Sequence, residues 1–357
     1  MSMRQGYRMP AEWERHQKTF LAWPVQDSMC HPEDYEQVCR EYYIPLVQAI
    51  AEFEPVTLIV NPQDVEHVPS LLEAVETPFS YPVDLLAIEH DDAWFRDNGP
   101  TFVINDRSEI AGVNWEFNAW GGKYTPCVKD NAVAAKLLDF YGIPQFDAGF
   151  VLEGGSIHTD GQGTLLTTEQ CLLNENRNPE RSKEEITQLL KRHLNIEHII
   201  WLEQGLYGDE TDGHIDNIAC FVAPGKILLQ VCDDPDDANF AITQSAWMRL
   251  RSAVDACNRK IEVYEIQQPP ARYFADKRLT LSYLNFYFVN DGIILPVFGG
   301  DAEATDALAV QMLSQLFPDR KIRTIDGMAI IKEGGNVHCT TQQMPVFHMT
   351  NFKAEFE

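Results

Sequence analysis

Near the C-terminal end of the chain, a cysteine stands beside a histidine and behind paired glycines, in Glu333-Gly334-Gly335-Asn336-Val337-His338-Cys339. The same pattern occurs earlier, in Glu153-Gly154-Gly155-Ser156-Ile157-His158-Thr159, with threonine where the thiol would be. Two copies of one motif point to an internal repeat, in which the thiol-bearing copy is the specialised one. Most free cysteines are small buried hydrophobes, so the case for Cys339 as a nucleophile depends on its company.

That company is polar. Asp97 follows Arg96 in Asp91-Asp92-Ala93-Trp94-Phe95-Arg96-Asp97-Asn98-Gly99-Pro100. His214 and Asp216 lie in Thr211-Asp212-Gly213-His214-Ile215-Asp216-Asn217. Two carboxylates, Asp97 and Asp216, match a planar guanidinium by paired hydrogen bonds. Its central carbon would then face the Cys339 thiolate, and addition would give a tetrahedral intermediate. His214 would protonate the departing nitrogen and afterwards deprotonate water, with Glu153 orienting it in its protonated form. A bound cation would itself favour the thiolate. Each element has a plainer reading. Asp97 could simply pair with Arg96, Glu153 could serve a strained turn, and the double glycines could mean only tight backbone packing. His214 and Asp216, two apart on a strand, would share a face and could bind metal. Further histidines are scarce there, so neither metal nor other cofactor is expected.

The elements that must bring these residues together recur along the chain. After an N-terminal helix over 33–53, divided at Pro45, come strands Val56–Val60 and Leu85–Ile88. Four hairpin–helix–strand units follow. The first is predicted as strands Thr101–Ile104 and Ile110–Trp115, helix Asp130–Tyr141 and a strand ending near Leu152. The second comprises Ser156–Thr159, Gly163–Thr168, helix Glu180–Leu194 and strand Ile196–Leu202. Its hairpin turns at Asp160-Gly161, and its helix carries Ile186, Leu189, Leu190 and His193 on one face. The third comprises Ile215–Val222, Lys226–Val231, a helix over 237–257 and strand Ile261–Ile266. The fourth comprises Leu281–Val289, Gly292–Phe298, a helix over 302–317 and strand Lys321–Ile325. A fifth hairpin holds the Cys339 segment, and the N-terminal helix with the Val56 strand completes it. The fold class is therefore α/β, a five-unit pseudo-symmetric propeller of ββαβ repeats. Such units bury their faces only when arranged around an axis, and the active site belongs on that axis. No Pro/Ser-rich linker divides the chain, so residues 1–357 read as a single domain.

Composition limits the partners. A formal charge of −26 opposes nucleic acid and anionic membrane and favours a cationic ligand. No apolar run is long enough to span a bilayer, and Met1 to Pro10 lacks the apolar region of a secretory signal. The eight cysteines form no CxxC pair, which fits reduced thiols and a cytoplasmic setting. Homo-oligomers are common enough that one is expected.

The motifs resemble those of the agmatine deiminases, in the bacterial peptidylarginine deiminase-type family. The resemblance rests on Met9-Pro10-Ala11-Glu12-Trp13, Ala22-Trp23-Pro24, the Asp91–Pro100 and Thr211–Asn217 stretches, Phe117-Asn118-Ala119-Trp120-Gly121-Gly122-Lys123-Tyr124 and both glycine-pair motifs. It covers essentially the whole chain. It implies the five-unit α/β propeller of guanidine-modifying enzymes (the pentein fold), with Cys339 as nucleophile, His214 as acid and base, Glu153 as its partner, and Asp97 and Asp216 as guanidinium ligands. The implied reaction converts agmatine and water to N-carbamoylputrescine and ammonia, a step towards putrescine in polyamine synthesis. Two positions depart from the pattern: Asp212 stands where asparagine is expected, and Glu333 where another glycine is expected. At the far end of the substrate, acidic residues around the motifs (Asp91, Asp92, Asp209, Glu210, Asp212) suit a second positive charge. Glu210 is the candidate for the amine, and Trp94 or Trp120 for covering the alkyl chain.

Three other readings compete. A papain-like protease also pairs Cys with His but leaves Asp97 and Asp216 idle. A non-catalytic propeller binding cationic peptides fits the acidity but not the thiol. Deimination of peptidylarginine or free arginine would use the same chemistry.

Overall fold

The computed structural model describes residues 6–75 and 78–348. Part of the Met1 to Pro10 segment therefore lies outside the described residues. Five sheets share one plan. In each, two antiparallel strands are followed by a helix, and a third strand returns parallel to the second. Thr101–Ile104, Ile110–Glu116 and Gln145–Val151 form the first, with helix Asp130–Tyr141 in the crossover. Ile157–Thr159, Thr164–Thr168 and His198–Leu202 form the second, with helix Lys183–Leu194. Ala219–Ala223, Lys226–Val231 and Glu262–Gln267 form the third, around helix Asn239–Ser252. Tyr287–Val289, Gly292–Val297 and Lys321–Asp326 form the fourth, with helix Glu303–Leu316. A parallel pair needs such a crossover, whereas the antiparallel pair closes through a tight turn.

The fifth sheet joins the two ends of the chain. Thr341–Pro345 pairs antiparallel with His16–Ala22, which pairs parallel with Val56–Val60. Val83–Ala87 adds a fourth strand. The N-terminal helical stretch is not divided at Pro45 as expected: it stays helical with right-handed dihedrals at each junction, through a π-helical turn just before the proline. Tyr35–Val38 is α-helical, Cys39–Tyr43 is a π-turn, and Ile44–Ile50 is a second α-helix with proline in its first turn. Proline inside a helix removes an N–H donor and crowds the preceding turn, and here the turn before it is the wider π-helical one, in which the Ile44 N–H reaches the Cys39 carbonyl.

Several sequence-derived boundaries are corrected, each for a local reason. The second unit's helix starts at Lys183 rather than Glu180, because Ser182 caps it. The Ser182 hydroxyl accepts the Glu185 N–H, and the Glu185 carboxylate accepts the Ser182 N–H. The helix predicted over 237–257 is shortened at both ends. The Asp237 carboxylate accepts the Asn239 N–H at its start. Beyond its end, the Asp255 carboxylate gathers the Cys257 and Arg259 N–H groups into a turn. Residues 281–286, expected as strand, run across the axis instead, with Ser282 and Asn285 bonding to Asn217. Strand pairing begins only at Tyr287. Ile215–Asn217 is a 3₁₀ turn rather than the start of a strand. Cys339 lies in the short helix Val337–Thr340, one step before the hairpin strand.

The double glycines are sites of close packing. A Cβ on Gly154 would overlap the Arg96 carbonyl oxygen. One on Gly155 would lie 2.6 Å from His214 Nδ1 and 2.8 Å from Asp216 Oδ2. These contacts draw the second unit against the first and third. Because the Gly154 clash is with backbone, Gly154→Ala should destabilise the protein by about 1–3 kcal/mol, read as a lowered urea midpoint with an unchanged m-value.

Candidate active site

Loops at one end of the five sheets deliver the polar residues to the axis. Asp97 comes from the helical turn Phe95–Asn98, Glu153 from the end of a strand, His214 and Asp216 from the 3₁₀ turn, and Cys339 from its short helix. All five are buried, with Glu153 and His214 at 0% exposure.

Asp97 does not pair with Arg96. Its Oδ1 accepts the Gly155 N–H at 2.9 Å and its Oδ2 accepts the Trp120 indole N–H at 2.9 Å. Arg96 turns the other way, to Gln342, Gln343 and Glu12. His214 sits between two carboxylates, with Nδ1 3.8 Å from Asp97 Oδ1 and Nε2 3.8 Å from Glu153 Oε2. Neither ring nitrogen has a hydrogen-bond partner. Burial opposes its charge, but Asp97, Cys171 and Glu153 hold its pKa well above the ordinary value. His214 is thus poised as a proton donor. Glu153 is held below the usual range, against the cost of burial, by His214 and by the Arg177 guanidinium. Arg177 Nε donates to Glu153 Oε1 at 2.6 Å.

The Cys339 thiol lies 3.6 Å from Asp216 Oδ2 and receives the Asn285 side-chain N–H at 3.1 Å. Burial, and then the charges of Asp216 and Asp97, push it well above its ordinary pKa. Burial and those charges together favour the protonated thiol. A cation held by the two carboxylates would cancel the repulsion and release the thiolate. Asp97 itself is raised by burial and by Asp216 and Glu153, with His214 opposing.

A narrow cavity opens beside Cys339. Trp94, Trp120, Tyr124 and Glu210 line it. Its described lining residues include four carboxylates (Asp92, Asp97, Glu210 and Glu333) and no lysine, arginine or histidine. Other expected acids are engaged elsewhere. Asp91 accepts the Lys129 N–H, Asp209 holds Thr211, and Asp212 pairs with Lys123 and Arg177.

Sequence reasoning missed three residues here. Arg177 follows a loop with no motif of its own. Asn285 was hidden inside a segment read as strand. Glu333 stood out only as a departure from a pattern. Its Oε2 accepts the Cys30 N–H at 2.6 Å, while its Oε1 is buried without a partner.

Among the described residues, Glu153, Cys171 and His214 bring three donor atoms within 4.8 Å of one another. The Arg177 guanidinium on Glu153 places a fixed positive charge there and opposes a divalent ion. His214 and Asp216 are not two apart on a strand as expected, because Ile215–Asn217 is a 3₁₀ turn.

Five ββαβ units closed around an axis are the architecture of the guanidine-modifying α/β propellers. Within that class the chain belongs to the Porphyromonas-type peptidyl-arginine deiminase family, whose model matches residues 8–345. It is 42% identical over 366 aligned positions to the agmatine deiminase of Ectopseudomonas mendocina, covering 95% of this chain and 96% of that one. A solved agmatine deiminase of Enterococcus faecalis superposes with a TM-score of 0.86 at 37% identity, over 95% of this chain and 96% of that one. A substrate-bound agmatine deiminase from C. jejuni, a variant with serine in place of a cysteine, gives a TM-score of 0.85 at 29% identity, over 97% and 98% of the two chains.

Cys339→Ser should abolish turnover while leaving the circular dichroism spectrum and melting temperature near those of the parent. Asn285→Leu removes the donor to sulfur, so alkylation of Cys339 by iodoacetamide at fixed pH should slow. Activity should survive exhaustive dialysis against a chelator.

Proposed function

We propose that this chain hydrolyses agmatine to N-carbamoylputrescine and ammonia. The observation that carries this reading is the cavity beside Cys339, with four carboxylates and no basic side chain among its described lining residues. The names of its relatives support it. Arginine carries a carboxylate where agmatine has only hydrogen, and an arginine site should supply a cation there. Acidic walls instead suit a substrate with positive charge at each end.

In this reading Asp97 and Asp216 hold the guanidinium, and Asp216 Oδ1, buried and unpartnered, offers one acceptor. Binding offsets the charges that favour the protonated thiol, the thiol proton is lost to water, and the Cys339 thiolate adds to the guanidinium carbon. His214 gives its proton to one terminal nitrogen, which leaves as ammonia, and an S-linked amidine remains on Cys339. The now neutral His214 takes a proton from water. The hydroxide adds to the same carbon, the carbon–sulfur bond breaks, the hydroxyl proton passes to the departing Cys339 sulfur to restore the thiol, and the product carries the urea oxygen. Glu153, fixed by Arg177, stabilises the charged form of His214 throughout. Trp94 and Trp120 cover the alkyl chain. Glu210 and Glu333 face the amine. Glu210 already receives the Tyr124 hydroxyl at 2.9 Å and Lys277 at 3.3 Å, whereas Glu333 keeps one oxygen unpartnered.

A single propeller domain, cytoplasmic residence and a homo-oligomeric state belong to the same reading. The first is supported by the two chain ends sharing one sheet. The second draws on the eight cysteines, all free. Among the described residues no helix is long and apolar enough to cross a membrane. Nucleic acid is not expected as a partner of so acidic a chain.

The test is ammonia release from agmatine, free arginine and a peptide ending in arginine, in one buffer. Agmatine should have the highest kcat/KM, with the preference shrinking as salt rises; an arginine preference would transfer the chain to the alternative deiminase reading. Asp97→Asn and Asp216→Asn should each lose at least ~10-fold in kcat/KM, from one charge-assisted bond of about 1.5–3 kcal/mol, while Asp233→Asn should change little. Because Asp97 must be ionised to hold the substrate and its pKa is raised, kcat/KM should fall as pH drops through a value above the ordinary aspartate range.

A further inference from the structure

The two copies of the glycine-pair motif converge on one buried carboxylate. His158, in the threonine copy, and His338, in the cysteine copy, both reach Glu12, which is 2% exposed. His338 Nε2 lies 2.9 and 3.0 Å from the two Glu12 oxygens. His158 Nε2 lies 3.6 Å from Oε2, and Arg96 Nη1 lies 3.4 Å from Oε1. The histidines differ at their other nitrogen. His158 Nδ1 accepts the Phe221 N–H at 3.3 Å. His338 Nδ1 lies 2.9 Å from Asp216 Oδ2. A ring with carboxylate oxygens at hydrogen-bond distance from both nitrogens must carry two protons to satisfy them. His338 is therefore an imidazolium clamped between Glu12 and Asp216.

This clamp occupies one oxygen of Asp216 and leaves the other, Oδ1, buried and without a partner. Resting on the proposed reading of the site, we infer that His338 is the positioning residue for Asp216: it anchors Oδ2 so that Oδ1 remains presented to the substrate guanidinium. Glu12, from the N-terminal segment, holds the back of the imidazolium. The charged and titratable groups around His338 are Glu12, Asp216, Arg96, His158 and the adjoining Cys339, with Asp97 beyond Asp216. Burial and Arg96 oppose its charge, but Glu12 and Asp216 keep its pKa above the ordinary histidine value. The echo histidine makes no such link to a substrate carboxylate, which provides an internal control.

The experiment compares His338→Gln with His158→Gln. Both variants alter the Glu12 cluster, but only the first releases Asp216. His338→Gln should raise KM for agmatine by ~10- to 100-fold, the loss of one charge-assisted alignment, with a smaller change in kcat. His158→Gln should change kcat/KM by less than about threefold at a comparable melting temperature, because it breaks no charge-assisted bond to a substrate carboxylate. Equal losses in the two variants, or an unchanged KM in His338→Gln, would overturn the inference. Should His338→Gln fail to fold, Glu12→Gln supplies a second readout. With one carboxylate gone, the His338 pKa falls, so the imidazolium is lost at lower pH and the alkaline limb of kcat/KM moves downward. An alkaline limb that stays in place would reject the clamp. If the unaltered enzyme releases no ammonia from agmatine, the proposed function fails instead, which separates the two failures.

Discussion

Buried negative charge at the propeller axis is the constraint on which the rest of the site depends. Glu12, Asp97, Glu153 and Asp216 are each at most 3% exposed. Carboxylates so deeply desolvated survive only with cations or donors close by. The protein provides Arg177 for Glu153 and Arg96 with His338 for Glu12. For Asp97 and Asp216 it provides less: Asp97 has a backbone N–H, an indole N–H and the His214 ring at 3.8 Å, which it shares with Glu153, and Asp216 has one imidazolium with one oxygen left over. The site is thus short of positive charge where a guanidinium would bind. The same shortage adds to burial in favouring the protonated thiol, so substrate recognition and nucleophile activation draw on one electrostatic imbalance.

Closure of the ring serves this arrangement. The chain ends pair in one sheet, which brings Glu12 from the beginning of the chain under His338 near its end. The glycine pair in the second unit allows Arg96, His214 and Asp216 to approach backbone where any Cβ would clash. Pseudo-symmetry puts the two motif histidines at one carboxylate, and divergence between the copies gives one of them a thiol neighbour and a link to Asp216. A repeated scaffold of this kind can change the chemistry at one unit while its relatives continue to hold the axis.

Much of the fold was legible because the relevant signals are local. Helix Asp130–Tyr141 and strand Val56–Val60 are read with the bounds observed, from periodicity and β-branched runs with clear turn residues around them. The errors lie where long-range partners override local preference. Residues 281–286 alternate like a strand, yet Asn285 is drawn to Cys339 and Asn217. Ile215–Asn217 is β-branched and apolar in part, but a 3₁₀ turn is needed to send His214 towards Glu153 and Asp216 towards His338. Single-chain patterns carry no information about such distant contacts.

The sequence by itself determined the repeat, the order of elements and the set of side chains able to do thiol chemistry on a planar cation. Those depend on residue type and spacing, which are written in the chain. Tertiary structure alone decided which acids meet in the cavity and which are spent on lysines and arginines elsewhere. It turned Arg96 away from its neighbour Asp97 and towards Glu12. It also paired Glu153 with Arg177, and it left one oxygen of Glu333 and one of Asp216 without partners. The physical reason is that the charge state and availability of a buried group are set by whatever packs within a few ångströms of it, and at a propeller axis those neighbours come from five separate parts of the chain.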